Sequence, residues 1–303
     1  MESKKITAAL AVVLAVACVI VAAVLISSNR KLNYLPDTSL EDMTEVLENA
    51  GITIDKSIIG TKRENGDVYV FGTDGYYETV ANSLIGDEIA NTYATPDGQI
   101  FEFADGALIE FGSGFCFRYS RDGKKHPLPD GGYMPEIISP TLSEYRKITE
   151  TAEKFLDSGS RSFAQSASIS IVTTVDMLYG DGERYYIVCS RTLDGVAITD
   201  NTVTCIYEDG VITAAEGTWC FLTEGESYSA QLTDHLNILF NAKKDITVPE
   251  GEKVGIVSID RCYSLYYYGE GDEFCLIPCW QVTTDSAEKF IYNALDGTLY
   301  TIN

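Results

Sequence analysis

Few residues of this chain are of the types that carry out chemistry in enzyme active sites. The sequence has two histidines, His126 and His235, and it lacks a phosphate-binding loop, a nucleophile elbow and a His-Glu-x-x-His pair. His235 follows Asp234 on a predicted helix. Side chains of neighbouring helical residues point about 100° apart, so the Asp234 carboxylate cannot orient His235 as a general base. Acidic pairs such as Asp181 and Glu183 fall in glycine-rich turns, which is typical of solvated carboxylates. We therefore expect no catalytic residue and no enzymatic activity.

The cysteines are the next candidates for chemistry. Cys275 and Cys279 would have Cα atoms about 13 Å apart on an extended strand, whereas a disulfide needs less than about 7 Å. No second cysteine pair or histidine cluster completes a zinc site with them. The sequence favours cysteines that are small buried hydrophobic residues, with one or two disulfides as the alternative, and it predicts no metal and no cofactor. Seven cysteines follow Cys18, an odd number that excludes a complete internal disulfide framework: Cys116, Cys189, Cys205, Cys220, Cys262, Cys275 and Cys279.

An uncharged apolar segment runs from Ile6 to Ile26. As a helix it would be about 31 Å long, which matches a hydrocarbon core of roughly 30 Å. The alternatives are a cleaved signal peptide, which usually has a shorter apolar core, and a lipidated Cys18 within Ala15–Cys18. The length of the segment favours a retained single-pass transmembrane signal anchor.

The charge distribution predicts how this anchor is oriented. Lys4 and Lys5 precede the apolar segment, Arg30 and Lys31 follow it, and the 303-residue chain has a net charge of −23 and a pI near 4.3. An acidic remainder is repelled by an anionic cytoplasmic leaflet, which favours a cytoplasmic N-terminus and an extracellular C-terminal ectodomain. The same acidity argues against a nucleic-acid partner, because binding to phosphates requires a basic surface.

Small residues recur along one side of the predicted anchor at spacings of three and four. Such a seam allows a second helix to approach closely in lipid, although an alanine-rich segment also produces seams by chance. The spacing suggests a helix-contact seam formed by Ala8, Ala11, Ala15, Cys18 and Ala22.

The remainder of the chain alternates predicted helices with runs of strands separated by Asp-Gly and Gly-Ser-Gly turns. We predict helices over 40–50, 76–85, 142–156 and 228–240. We predict strands over 52–59, 68–72, 99–103, 107–111, 115–120, 166–175, 183–191, 202–208, 211–221, 254–268, 274–282, 289–294 and 298–302.

This order predicts an α+β fold in which an N-terminal transmembrane helix precedes two subdomains of antiparallel sheet with packed helices. The predicted organisation is a cytoplasmic tail (1–5), the anchor (6–26), a tether (27–39), a first ectodomain (40–121), a linker (122–140) and a second ectodomain (141–303).

Tyrosines are concentrated on the predicted strand 254–268. Tyr266 and Tyr268 would face one side of that strand and Tyr267 the other, so at least one set meets solvent, another strand or a partner. Exposed tyrosine is common at protein interfaces, while tyrosine also has ordinary strand propensity. These three residues are therefore a candidate partner surface.

Two segments of the chain carry motifs of a known family. The first is 40–59, a predicted helix that ends at Gly51-Ile52 before an alternating strand. The second is the ending 261–303, with the motif residues Pro278, Trp280, Asn293, Ala294 and Gly297. We interpret these as fold markers, with Trp280 between sheet and helix. Together the two segments resemble the YycI family, whose members are membrane-anchored regulators of an essential cell-wall two-component system in low-GC Gram-positive bacteria, and the ending is also similar to PepSY-type domains.

The resemblance implies a non-enzymatic regulator that associates with a sensor histidine kinase and with a related membrane protein. The anchor departs from the family, since it opens with Ser3-Lys4-Lys5-Ile6 and is rich in alanine and valine. The alternative is an extracytoplasmic PepSY-like binding module for peptides, cell-wall material or a protease.

Overall fold

A computed structural model describes residues 37–72, 76–126, 128, 140–160, 170–180, 183–199, 201–222, 225–267 and 273–302. Strands outnumber helices in this part of the chain. The helices are α1 (Asp37–Glu48), α2 (Tyr76–Ile85), α3 (Leu142–Ser158) and α4 (His235–Asp245). The strands are β1 (Ile52–Ile54), β2 (Asn65–Gly72), β3 (Ile89–Thr95), β4 (Gly98–Phe103), β5 (Leu108–Phe111), β6 (Cys116–Ser120), β7 (Ile171–Gly180), β8 (Arg184–Leu193), β9 (Val196–Ile198), β10 (Val203–Glu208), β11 (Val211–Thr218), β12 (Gly225–Gln231), β13 (Val254–Tyr267), β14 (Glu273–Thr284), β15 (Lys289–Asn293) and β16 (Leu299–Ile302).

The chain forms two compact units, each assembled from segments that are distant in sequence. The first unit comprises the described residues up to Gly66, Ala230–Asp260, and those from Trp280 onward. The second comprises Asp67–Ser229 and Arg261–Cys279. The boundaries expected from the sequence at 122–140 do not coincide with this division.

Helices α1 and α4 pack against each other in the first unit. The apolar faces of both helices form part of the hydrophobic core of this unit. This core includes Leu47, Ile52, Ile238, Leu239 and Trp280. The turn after α1 places Gly51 at φ +79°, where a residue with a side chain is strained. Strand β1 then pairs in parallel with β13, with Ile52 opposite Val254.

The second unit is built around one long sheet. Its strand order is β12-β2-β14-β13-β9-β8-β10-β11-β6-β5-β4-β3, and β7 pairs with β8. Helix α3 packs on β7, β10 and β11, and it begins with a capping box in which Thr141 and Glu144 satisfy each other's backbone amides. The core is rich in aromatic residues, such as Phe101, Phe111 and Phe117.

The predicted fold class is wrong, because the structure is dominated by mixed sheet and not by antiparallel subdomains with packed helices. The parallel pairings of the described residues include β1 with β13 and β13 with β9. Alternating apolar residues show which face of a strand is buried, but not which strand lies beside it or in which direction. Of the helices in the described part of the chain, none combines the length and apolar character needed to cross a bilayer. The predicted anchor 6–26 lies outside the described residues.

The helix expected over 228–240 is also wrong in its position. Gly225–Gln231 is strand β12, which hydrogen-bonds to β2, and α4 begins only at His235. The carboxylate of Asp234 accepts a hydrogen bond from the backbone N–H of Asn237 at 3.0 Å and so fixes the start of the helix. With this start of the helix, Phe240 is 50% exposed.

Candidate functional site

The C-terminal motif residues of the first unit hold helix α4 in place. The indole Nε1–H of Trp280 donates to the backbone carbonyl of Thr233 at 2.8 Å. The indole also packs edge-on against the imidazole of His235, with ring centroids 4.3 Å apart. Trp280 is buried. The indole therefore fixes the residues immediately before and at the start of α4.

The turn between β15 and β16 contacts the same helix. The backbone N–H of Thr233 donates to the carbonyl of Ala294 at 2.6 Å, and Asn241 Nδ2 donates to the carbonyl of Gly297 at 2.7 Å. Gly297 has φ +78°, and Asn293 Oδ1 accepts from the N–H of Leu295. Pro278, the remaining C-terminal motif residue, is buried on β14 in the second unit. These residues act on the fold, and none of these contacts forms a catalytic arrangement.

His235 is held as a neutral structural residue. Its Nδ1 accepts a hydrogen bond from the backbone N–H of Gly60 at 2.7 Å, so the proton of the neutral ring is on Nε2. Burial lowers the pKa of His235, against the opposing effects of Glu64, Asp234 and Asp260. An imidazole whose acceptor nitrogen is occupied in this way is poorly placed to act as a general base.

His126, the other histidine, lies against a carboxylate at the end of β6. Its Nε2 is 2.8 Å from Asp122 Oδ1. Hydrogen bonds from His126, from the backbone of Lys124 and from Ser120 lower the pKa of Asp122. His126 belongs to the second unit and His235 to the first.

A buried guanidinium, which the sequence analysis missed, lies in the second unit. Arg191 is 0% exposed, and its Nη atoms donate to the carbonyls of Cys220 at 2.8 Å and Leu156 at 3.2 Å. Nη1 also donates to Ser160 Oγ at 3.2 Å, and the guanidinium lies 4.4 Å from the ring centre of Trp219. Burial lowers the pKa of Arg191. The guanidinium thus caps the C-terminal end of α3, where carbonyl groups lack helical partners.

The cysteines of the second unit are mostly buried. Of the seven cysteines in the described part of the chain, only Cys116 is exposed. Burial raises the pKa of the Cys220 thiol to about 12, against the opposing charge of Arg191. No group of three His, Cys, Asp or Glu side chains among the described residues could hold a metal ion.

The structure describes only part of the predicted tyrosine surface. Tyr266 is 43% exposed on β13. Tyr267 is the last residue of that strand, and Tyr268 lies outside the described residues, as do the seam residues of the anchor.

The edge strand β3 is the most distinctive exposed feature of the second unit. It forms one end of the sheet, and β4 is the only strand of the described residues that pairs with it. Residues 90–94 are all exposed, and the side chain of Tyr93 is 49% exposed. We call the backbone and side chains of Ile89–Thr95 the β3 edge. Sequence analysis missed this strand because its residues, IANTYAT, show no alternation of apolar and polar side chains.

Side chains on β3 are arranged by a carboxylate on the neighbouring strand. Glu102 Oε2 accepts hydrogen bonds from Asn91 Nδ2 and from the hydroxyl of Tyr93, each at 2.9 Å. The bond to Glu102 raises the pKa of Tyr93. The β3 edge is thus an ordered strand with solvent on both of its faces.

The opposite end of the sheet is β12, which pairs with β2. Its residues 225–229 are exposed, and Tyr228 is 52% exposed. In contrast to β3, it carries a charged residue, Glu226.

In the first unit, an open cleft of about 500 Å³ is lined by Lys62, Arg63, Glu64, Asn65 and Gln231. These side chains could hydrogen-bond a polar ligand, but they include no nucleophile with an adjacent base.

Comparisons with known proteins do not assign the chain to a family. No protein-family model matches it, and no curated protein matches it. The chain is similar to the crystal structure of an uncharacterized protein from Eubacterium rectale ATCC 33656, at 12% sequence identity and a TM-score of 0.42, over 88% of this chain and 99% of that one. A likeness at this level identifies neither a shared fold nor a function.

Proposed function

We propose that this chain is a membrane-anchored, non-enzymatic regulator that acts on a sensor histidine kinase through contacts of its ectodomain. The observation that carries the ectodomain part of the proposal is the β3 edge. Backbone N–H and C=O groups at the edge of a sheet can accept an additional strand from another chain. The second unit therefore offers a surface suited to binding an extended segment of a partner.

The kinase and the membrane location rest on the sequence. The resemblance of 40–59 and 261–303 to the YycI family suggests the sensor kinase and a related regulator as partners. The apolar segment 6–26 would keep the chain at the cell membrane, with the N-terminus in the cytoplasm and the ectodomain outside. In this arrangement a kinase ectodomain would lie within reach of β3.

The second candidate function is an extracytoplasmic binding module for peptides, cell-wall material or a protease. The same β3 edge favours it, because strand addition recognises any extended segment of suitable chemistry. The identity of the bound partner distinguishes the two functions.

Site-directed photo-crosslinking in intact membranes tests the proposal. A photo-reactive phenylalanine analogue is introduced at Thr92 on β3 in the full-length protein, and at Asn237, an exposed residue of α4, as the control. We expect position 92, and not position 237, to crosslink to a sensor histidine kinase or to a related membrane regulator, as identified by mass spectrometry. Crosslinking of position 92 to a peptide, a wall fragment or a protease would favour the second function. The absence of any crosslink specific to position 92 would contradict both.

A separate test addresses the anchor. Replacing Ala11 and Ala15 with leucine would fill the small-residue seam with bulkier side chains, whereas close helix packing depends on small ones. We expect weaker recovery of the partners from membranes while the ectodomain remains folded by circular dichroism. Unchanged recovery would discard the seam as a contact.

A further inference from the structure

We propose that the β3 edge binds an extended polypeptide segment that carries basic residues on both sides of a neutral stretch. This inference rests on the proposed function, because it specifies the chemistry of the segment that the edge accepts. Three features of the edge support this inference: the lack of protection on the strand, the charge around it, and the spacing of that charge.

The β3 edge lacks the features that usually prevent unwanted strand pairing. Exposed edge strands of natural proteins are commonly short or interrupted by lysine, glutamate or proline. Ile89–Thr95 has seven residues and contains no charged residue and no proline. A register irregularity between Ile89 and Asn91 is the one protective feature, and it lies at the start of the strand. The rest of the strand, from Asn91 to Thr95, is open to pairing.

The chain around this edge is uniformly acidic. Between Glu64 and Phe117 the sequence has ten acidic residues and no lysine, arginine or histidine. This stretch includes β3 and both of its flanking turns. Because opposite charges attract across neighbouring strands and like charges repel, the surrounding field selects for a basic segment.

The first basic side chains met along the sheet from β3 are on β6, three strands away, or in the turn after it. Arg118 on β6 lies 2.7 Å from Glu110 and 3.1 Å from Glu216. Lys124 lies 3.4 Å from Asp122. A cavity of about 160 Å³ is lined by Arg118, Lys124 and Lys125 and by no residue of β3. These cations therefore leave the charge beside β3 in place.

The Glu102 carboxylate lies beside the middle of the strand, where it accepts hydrogen bonds from Asn91 and Tyr93. The other acidic side chains that adjoin the edge lie at its two ends. Asp87 and Glu88 precede the strand, and Asp97 lies in the turn that follows it; all three are exposed. Seven strand residues extend about 24 Å. A partner strand would therefore place a basic residue near each end, with a neutral stretch of about seven residues between them.

The same spacing argues against a second copy of this chain as the occupant. Antiparallel pairing of two β3 strands centred on Thr92 would place Asp87 of one copy opposite Asp97 of the other. Like charges directly opposite each other destabilise such a pair, and each copy also carries a net charge of −23. The chemistry thus favours a basic segment of a different chain.

Binding of synthetic peptides to the full-length protein tests the inference. The protein is placed in nanodiscs of zwitterionic phosphatidylcholine, so that the membrane itself attracts no basic peptide. The Lys-flanked peptide is Lys-Lys-Thr-Val-Thr-Val-Thr-Val-Thr-Lys-Lys. The Glu-flanked peptide has glutamate in place of every lysine, and the Pro-interrupted peptide keeps the lysines but has proline in place of the central valine. Fluorescence anisotropy gives the dissociation constant of each.

We expect the Lys-flanked peptide to bind at least about tenfold more tightly than the Glu-flanked one, and its affinity to fall between about 50 mM and 300 mM salt. We expect the Pro-interrupted peptide to lose about tenfold in affinity, because proline removes a backbone donor and interrupts the hydrogen bonds between the strands.

The double variant Glu88→Gln and Asp97→Asn should weaken binding of the Lys-flanked peptide about fivefold, as expected for two exposed ion pairs. The matched control, Glu250→Gln with Glu252→Gln in an exposed loop of the first unit, should bind as the natural protein does.

The other outcomes separate this inference from the proposed function. Equal binding of the Lys-flanked and Glu-flanked peptides, with loss of the Pro-interrupted one, would overturn the charge selection but leave strand addition intact. Equal binding of the Lys-flanked and Pro-interrupted peptides would show that charge alone acts and would overturn pairing at β3. No binding of any peptide, while position 92 still crosslinks to the kinase, would overturn the inference and leave the regulator function standing.

Discussion

The imidazole of His235 receives a hydrogen bond from the backbone N–H of Gly60 at 2.7 Å, and the edge of its ring lies against the indole of Trp280. The histidine thus joins the chain after β1, the start of α4 and the C-terminal strands in the first unit. These contacts keep His235, one of the two histidines of the chain, out of solvent.

Replacing His235 with phenylalanine should destabilise the protein, because the ring is kept but the N–H of Gly60 loses its acceptor. An unsatisfied buried donor costs about 1–3 kcal/mol. The measurement is the free energy of unfolding from urea denaturation monitored by tryptophan fluorescence. The exposed substitution Asn237→Ala serves as a control within the same helix, and a His235→Phe variant as stable as that control would contradict the role assigned to the hydrogen bond.

The stability of the protein should fall as the pH falls below about 6.5 because of His235. Burial lowers the pKa of this residue below its ordinary value of 6.5, so the unfolded chain takes up the proton first. Its contribution is complete above that value and is lost as the pH decreases toward the folded-state pKa. We expect the loss of unfolding free energy between about pH 7.5 and pH 5.5 to be smaller in His235→Gln than in the natural protein. Identical pH profiles for the two proteins would exclude His235 as the source.

Replacing Arg191 with methionine should destabilise the second unit strongly. The substitution removes the donor that Arg191 provides to the buried carbonyls of Leu156 and Cys220, whereas the hydroxyl of Ser160 keeps its hydrogen bond from the N–H of Leu222. Breaking a buried charged network typically costs about 3–5 kcal/mol. Arg184→Met is the matched control, since Arg184 is one third exposed and pairs with Glu208 at 3.1 Å, a type of surface pair that contributes about 0–1 kcal/mol. Equal losses of unfolding free energy in the two variants would show that the buried network has no special weight.

Thiol labelling should distinguish the cysteines by their burial. A maleimide should modify Cys116 rapidly in the folded protein, whereas Cys220 should react only on unfolding because it is buried and its pKa is raised to about 12. Peptide mapping by mass spectrometry locates the label. In Cys116→Ser, we expect no rapid labelling of the remaining cysteines among the described residues. Rapid labelling of Cys220 would contradict the packing around Arg191.

Much of the local structure was predictable because short-range interactions determine it. The helix Tyr76–Ile85 has the expected bounds, and the helix expected over 142–156 extends by only two residues, to Ser158. The capping residues Thr141 and Glu144 and the glycine turns act within a few positions of the chain. The strands from β4 to β6 likewise follow from their alternation and from the turns between them.

Other features had a weaker signal or none. Arg191 falls in phase with Ile187, Cys189 and Leu193, which all face the core, so the two-residue period of β8 could have indicated that it is buried. Strand β3 has no such period, because both of its faces meet solvent and no apolar face is selected. A strand of this kind is recognised only when its neighbour is known.

The amino-acid order by itself determined many of the helices and strands, the acidic character of the chain and the apolar segment 6–26, since each of these depends on residues that are close in sequence. Only the tertiary structure decided that β1 pairs in parallel with β13, that two units are assembled from distant segments, and that β3 is left at the end of its sheet. The physical reason is that strand pairing joins backbone groups that are the same in every residue. The choice of neighbour therefore depends on how the whole core packs and not on any local pattern.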